Sequence, residues 1–369
     1  MKPYITGAVK LTIRIVILIA LSGTVGLCEI NAAPYDNDNT EKDFDPGSFI
    51  FDHIADSYEW HVFSFRGDHY SIPLPIILYC SESGLHFFMS NRFDHGYSTY
   101  KGFKIESEGP NKGNIVKVDE KGEALKDERL PLDISITKNV LAMFFSVMII
   151  LAIFITIGNR YRKKPVGVPR GFQSFFEPLI LFVIDEIAKP AIGEKKHERF
   201  LPYILTLFFF IWINNMLGLI PLFPMGANVT GNISVTMGLA LTSLIAVNFS
   251  GNKKYWGHIF NPPGIPGFLK FPIPLMQVIE VVGIFTKPFV LMIRLFANIT
   301  AGHIITMGFF SLIFIFGERS PYFGFGISGI SVLFGIFITF LEFLVALIQA
   351  YVFTLLTSLF IGAAVSDDH

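Results

Sequence analysis

The sequence predicts an all-α polytopic membrane protein with five transmembrane helices, the last two of which form a long tilted antiparallel hairpin. A small β-rich external domain precedes them. The 369 residues are 51% hydrophobic and only 16% charged, which is too apolar for an ordinary soluble protein. Several apolar runs exceed the roughly 18 residues that identify a membrane-crossing helix. The net charge of −1 excludes a nucleic-acid partner, because phosphate backbones require a basic surface.

Residues 1–33 are predicted to be a secretory signal peptide that is removed. Basic residues precede the apolar core Ile15–Leu27, which is short for a membrane span. Cleavage sites are predicted after Cys28 or Ala33, and a retained membrane anchor is the alternative. Cys28 and Cys80 are the only cysteines, so the chain has no disulfide framework.

Residues 34–135 are predicted to form the external, periplasmic domain. Its β-prone runs are Trp60–Phe65, Ile72–Tyr79 and Leu85–Met89, with turn signals at Gly67-Asp68 and Gly84. The charged, glycine-containing stretch Gly102–Glu128 predicts a loop or an irregular hairpin. Five histidines lie in this domain, but their spacings match no compact metal motif, so no metal site is predicted.

Residues 136–369 are predicted to be the membrane domain. Its five apolar runs are Leu141–Ile157, Tyr203–Phe223 (ended by Pro221 and Pro224), Ser234–Phe249, Pro272–Phe316 and Phe325–Val365. Between the first two runs, Phe172–Ile192 mixes apolar and charged residues and predicts an interfacial helix. Gly317–Arg319 and Pro321 predict an external turn between the last two.

Basic residues assign the orientation. A cluster from Arg160 to Arg170 follows the first span, and Lys253 and Lys254 follow the third, which puts both loops on the cytoplasmic side. The amino-terminal domain is then external, in agreement with the signal peptide. Five spans from an external start predict a cytoplasmic carboxyl terminus.

The last two runs are too long for a perpendicular crossing. A run of about 45 residues is roughly 65 Å long as a helix, against about 30 Å of hydrocarbon. These spans must therefore lie strongly tilted or bend near Pro288. The alternative is that each run comprises two shorter elements.

Arg294 is the most informative residue, because it lies near the centre of the fourth span. A permanent charge there costs several kcal/mol and usually serves ions or substrates. Glu280, Lys287 and Arg294 are spaced seven apart and form one stripe on a helix, with Asn298 one turn further. His303 lies on the opposite face, so two separate polar paths are expected.

The fifth span supplies the complementary groups. Glu342 and Gln349 are seven apart and share a face. In an antiparallel hairpin Gln349 reaches the level of Arg294, while Glu342 meets His303. A carboxylate facing a histidine can relay protons near neutral pH; a purely structural ion pair is the alternative.

These motifs resemble the a subunit of the F-type ATP synthase, the stator channel of its membrane sector. The resemblance covers residues 136–369 and rests on three segments: Leu291–Gly302 around the arginine, Glu342–Phe353 in the last helix, and Asn215–Pro221 in the second span. It implies that Arg294, supported by Asn298 and Gln349, faces the carboxylate of each passing c-ring subunit. His303 and Glu342 would line an outer proton half-channel, and Glu280 an inner one.

The resemblance also implies the partners and location. Those partners are the c-subunit ring, the b-subunit peripheral stalk, the remaining ATP synthase subunits and the lipid bilayer of a bacterial inner membrane. The chain would not be an enzyme by itself and would bind no cofactor and no small molecule besides the transported ion. The large exported amino-terminal domain departs from many relatives and resembles a Bacteroidetes-like lineage.

A secondary transporter in which Arg294 binds an anionic substrate is the second hypothesis. The sequence has no internal repeat and no paired broken helices of the kind such transporters use. An intramembrane hydrolase is disfavoured, because neither a metal motif nor a nucleophile motif is found.

Overall fold

The computed structural model describes residues 45–65, 68–81, 83–106, 111, 113–119, 123–125, 130–163, 171–220, 226–260 and 275–366. The predicted signal peptide and its cleavage sites lie outside these residues. So do part of the basic cluster after the first span, the prolines predicted to end the second, and the last three residues.

In its described residues, the amino-terminal region contains one α-helix and seven short strands. They are α1 (Pro46–Ile54), β1 (Glu59–Phe65), β2 (Asp68–Pro73), β3 (Pro75–Cys80), β4 (Gly84–Met89), β5 (Phe103–Ile105), β6 (Ile115–Lys117) and β7 (Leu132–Asp133). β1 and β2 form an antiparallel hairpin, β3 lies between β4 and β7, and β5 pairs with β6. A 3₁₀ helix, Ser90–Gly96, follows β4. The predicted β-rich character of this region is therefore present.

The predicted β-prone run Ile72–Tyr79 is extended, but it is divided between β2 and β3 by a break at Leu74. Pro73 and Pro75 flank this residue, and a proline has no N–H to continue a ladder. The freed N–H of Leu74 instead donates to Ser90 Oγ at 3.1 Å. The stretch Gly102–Glu128, which was expected to be a loop or an irregular hairpin, contains the hairpin of β5 and β6.

Eight helices follow in the described residues of the membrane region. They are α2 (Lys138–Lys163), α3 (Phe172–Phe182), α4 (Lys189–Ile192), α5 (His197–Gly218), α6 (Ile233–Ser250), α7 (Lys253–Phe260), α8 (Leu275–Arg319) and α9 (Pro321–Val365). A π-helical turn joins α3 to α4, so the predicted interfacial segment is helical throughout. Five described helices, α2, α5, α6, α8 and α9, are long and apolar enough to cross a membrane, as predicted.

Predicted boundaries are wrong in two places, at the ends of α5 and at the turn between α8 and α9. α5 begins at His197, not near Tyr203, and ends at Gly218, before Pro221. The helix accommodates charged residues in its first turn, where a membrane helix reaches the polar interface. The predicted turn Gly317–Arg319 is the last part of α8, and Ser320 alone separates it from α9. Gly317 and Gly324 allow this close connection, since a Cβ on Gly324 would lie 2.8 Å from Gly317 Cα.

α5 is the centre of the helical core. Its residues Phe208, Phe209 and Phe210 are fully buried, so this helix is enclosed on all sides. α2 and α9 pack against it, and α9 also packs along α8. A helix that is apolar all round requires such enclosure within the protein or in lipid.

α8 and α9 are continuous antiparallel helices, so the alternative of four shorter elements is wrong. The rings of Phe309 and Phe334 stack at 5.3 Å near one end. Toward the other end, Lys287 Nζ lies 5.5 Å from the centre of the Phe360 ring. α8 passes through Pro288 without interruption. Most large side chains on the outer sides of both helices remain exposed.

Candidate proton-path residues on the α8–α9 helix pair

Arg294 lies near the middle of α8 with its side chain exposed. Leu291 and Leu295, three residues before it and one after it, are buried in the main core and attach α8 to the protein. Asn298 is exposed one turn beyond Arg294. Within the described residues, no hydrogen bond or ion pair engages the guanidinium group. The charge is therefore turned away from the described body of the chain.

Gln349 is the residue of α9 at the level of Arg294. In the antiparallel pair, the stack of Phe309 on Phe334 lies on one side of this level, and the contact of Lys287 with the Phe360 ring lies on the other. Gln349 is only 7% exposed, in contrast to Arg294. The two predicted central residues thus share a level but differ in their exposure.

Glu342 forms a close contact between the two helices. Its Oε1 atom accepts a hydrogen bond from Thr306 Oγ1 at 3.1 Å. The same oxygen would lie 2.6 Å from a Cβ added to Gly302. Gly302 and Thr306 are one helical turn apart on α8, so together they form the pocket that receives the carboxylate.

His303 lies between Gly302 and Thr306 in the sequence, and it is half-buried. Its Nε2 atom lies 3.9 Å from the position of a Cβ on Gly218, at the end of α5. Nearby along α5, Asn215 Oδ1 accepts a hydrogen bond from Thr230 Oγ1 at 2.5 Å. This end of α5 therefore carries buried polar groups next to the helix pair. The proton relay between His303 and Glu342 stays a prediction.

Glu280 lies toward the start of α8, close enough to Tyr255 of α7 for an electrostatic effect. Burial raises the pKa of Tyr255, and the negative charge of Glu280 adds to the increase. A cleft between α6, α7, α8 and α9 opens beside them and is lined in part by Asn248, Tyr255 and Lys287. Of the stripe that runs to Arg294, Lys287 thus lines a recess whose walls are mostly apolar.

Two residues at these positions, Thr306 and Tyr255, were not singled out as site candidates by the sequence. Thr306 follows Gly302 by four residues, so helical periodicity was a signal that the two share a face. Tyr255 lies in a segment predicted only as a cytoplasmic loop, although it forms α7. Within the described residues, no group of three His, Cys, Asp or Glu side chains is placed to hold a metal ion.

The helices and the exposed charged stripe define a polytopic membrane protein whose candidate site opens on the surface of a long helix pair. A family model described as "ATP synthase A chain" matches residues 140–362. The chain therefore belongs to the family of F-type ATP synthase a subunits.

Individual relatives agree with this family. "ATP synthase subunit a" of Chloroherpeton thalassium is 42% identical over 247 residues, which cover 64% of this chain and 69% of the relative. "ATP synthase subunit a 2" of Chlorobaculum tepidum is 41% identical over 248 residues, covering 64% and 66%. "ATP synthase subunit a" of Myxococcus xanthus is 40% identical over 247 residues, covering 64% and 75%.

A second family model, described as a domain of unknown function, matches residues 49–136. This range includes most of α1 and all seven strands. The amino-terminal region is thus a recurring unit whose role the match does not specify.

Proposed function

We propose that this chain is the proton-translocating stator subunit of an F-type ATP synthase in a bacterial inner membrane. The observation that carries the proposal is the exposed Arg294 guanidinium on a membrane-length helix, which engages no other described residue. A permanent charge in hydrocarbon costs several kcal/mol without a counter-charge or water. A carboxylate on a c-subunit ring that rotates past α8 supplies this counter-charge.

The two sides of Arg294 serve different half-channels. His303 and Glu342 deliver a proton from the periplasm to the ring carboxylate. The neutralised carboxyl group then moves into lipid as the ring turns. A later carboxyl group releases its proton toward Glu280 and the cytoplasm.

Arg294 separates the two paths. Its guanidinium pairs with the deprotonated ring carboxylate, so a proton cannot pass directly from Glu342 to Glu280. Asn298, one turn away, and Gln349, at the same level on α9, hold the arginine and the carboxylate in position. The exposure of Arg294 supports this role, because a rotating partner must reach the charge from outside the chain.

The proposed arrangement in the membrane follows from helix length and loop charge. α8 and α9 are each about 65 Å long and cross a hydrocarbon layer of about 30 Å at a strong tilt. Residues 34–135 form a periplasmic domain behind a cleaved signal, residues 136–369 form the proton channel, and the carboxyl terminus is cytoplasmic. The b-subunit stalk holds the chain against the ring. ATP chemistry belongs to other subunits of the complex, so the chain is not an enzyme by itself.

ATP-driven proton pumping in inverted membrane vesicles tests the proposal. Arg294→Ala abolishes pumping while the subunit remains assembled beside its c-ring. Arg319→Ala, which removes an exposed cation at the end of the same helix, leaves pumping intact. Normal pumping by an assembled Arg294→Ala complex would contradict the proposal, and anion-coupled flux without a c-ring would favour the transporter hypothesis.

A further inference from the structure

The amino-terminal region is joined to the first membrane helix through a buried carboxylate. Asp56 accepts hydrogen bonds from Thr137 Oγ1 at 2.8 Å and from the Asn139 N–H at 3.0 Å. These donors lie just before and within the first turn of α2, where N–H groups have no partner inside the helix. Asp56 therefore caps a helix that begins about 80 residues later in the chain.

Two further hydrogen bonds connect the amino-terminal region to the start of α2. The Lys138 N–H donates to the Ser57 carbonyl at 2.9 Å, and Lys138 Nζ donates to the Ala55 carbonyl at 3.1 Å. Trp60 of β1 is 4% exposed and belongs to the same core as the membrane helices. The junction is thus hydrogen-bonded and packed, unlike a flexible linker.

The other end of this region reaches the helix pair. α1 packs against α8, and the Phe49 and Phe314 rings are 5.9 Å apart. Phe314 lies close to the connection between α8 and α9. α1 is about 13 Å long and ends two residues before Asp56, so it spans from the capped start of α2 to this connection.

We propose that the amino-terminal region is a structural brace, which fixes the connecting end of the α8–α9 pair to the start of α2. α8 exposes large side chains on its outer side, and it is held in position by α9, α6 and α1. Thr306 and Phe314 are two helical turns apart, so the brace acts close to the Glu342 pocket. This assigns a role to the region matched by the domain of unknown function.

Cysteine cross-linking in the full, assembled complex tests the contact. With the native cysteines replaced by serine, Phe49→Cys combined with Phe314→Cys forms a disulfide on oxidation. Phe51→Cys combined with Phe314→Cys does not, because Phe51 is 65% exposed on the same short helix. A brace is a fixed contact, so the 49–314 disulfide leaves ATP-driven proton pumping unchanged. Failure of the 49–314 pair to cross-link, or loss of pumping once it does, would overturn the proposal.

Amide hydrogen exchange tests the mechanical consequence without reference to proton transport. Phe49→Ala raises exchange in the last two turns of α8 about tenfold, because local opening becomes easier. Phe51→Ala leaves exchange there unchanged. Equal exchange in both variants overturns the brace, whereas a wild-type complex without any cross-link that fails to pump protons would count against the proposed function alone.

Discussion

Asp56 and Arg294 are both charged side chains on or beside membrane helices, but their surroundings differ. Asp56 is buried and accepts hydrogen bonds from the Ser57 N–H on its own side of the junction and from Thr137 and Asn139 on the other. Arg294 is exposed and has no partner among the described residues. A charge satisfied internally holds the architecture together, whereas a charge left open on a membrane helix requires something outside the chain. Substitutions should therefore affect stability at the first site and transport at the second.

The largest effect is expected for Arg294→Gln. Proton pumping is lost completely, because the neutral amide cannot pair with a carboxylate. The midpoint of thermal unfolding does not fall, since the guanidinium makes no contact with the described residues. Pumping assays and thermal unfolding of the purified complex measure the two effects. A large loss of stability with retained pumping would reverse the comparison.

Gly302→Ala is expected to reduce pumping roughly tenfold to a hundredfold, since small displacements of a reacting group are costly. Its Cβ would lie 2.6 Å from Glu342 Oε1 and displace the carboxylate. The displaced atom is the tip of a flexible side chain, so stability changes little. Gly308→Ala is the matched control, because a Cβ there meets no described atom within 4 Å. Equal pumping in the two variants would contradict the importance of this pocket.

Asp56→Ala is expected to lower the free energy of unfolding of the junction by about 2 kcal/mol, because the α2 cap is lost and its donors stay buried. Asp56→Asn retains an acceptor oxygen and loses less. Chemical denaturation followed through the buried Trp60 reports the change. An unchanged unfolding midpoint in the alanine variant would mean that the cap does not stabilise the junction.

Thr306→Val removes the hydroxyl that donates to Glu342 at nearly constant volume. The loss of one hydrogen bond is worth about 1 kcal/mol, so pumping is expected to fall about fivefold. Thr306→Ser restores the donor and is expected to restore most of the rate. If the serine variant is as slow as the valine variant, the hydroxyl does not act on Glu342.

The smallest effect concerns the pH dependence of the junction. Burial raises the pKa of Asp56, although hydrogen bonds from Asn139 and Thr137 and the charge of Lys138 oppose the increase. A carboxyl group with a raised pKa binds its proton more tightly in the folded chain. The contribution of Asp56 to the free energy of unfolding is therefore greatest below its ordinary pKa of 3.8. This contribution declines as the pH rises toward the raised pKa. The thermal unfolding midpoint of Asp56→Asn should depend less steeply on pH than that of the natural chain as the pH rises above 3.8; identical slopes would contradict this.

The helices were the most predictable part of the fold. Length and apolarity identify a membrane helix because each backbone group must be satisfied within the segment. All five predicted spans are present, and the third is within a residue of its predicted ends. Errors arose where local signals competed, as at Gly317, where helix continuation overrides a turn signal, and at Leu74, where two prolines divide a strand.

The candidate site was predictable along each helix but less so between them. Periodicity placed Glu280, Lys287 and Arg294 on one stripe, and the register of the pair brings Gln349 to the level of Arg294. The contact of Glu342 with Thr306 needed the actual approach of α9 to α8, which a glycine permits.

The sequence alone determined the number of membrane helices, the intramembrane arginine and the spacing of polar groups, because each depends on local composition and helical period. Only the tertiary structure decided which distant residues meet: Asp56 with the start of α2, Phe49 with Phe314, and Glu342 with the pocket on α8. Lipid is as apolar as the helix surfaces it covers, so hydrophobicity does not select which faces pack together. That choice rests on close packing and on a few hydrogen bonds between residues far apart in the chain.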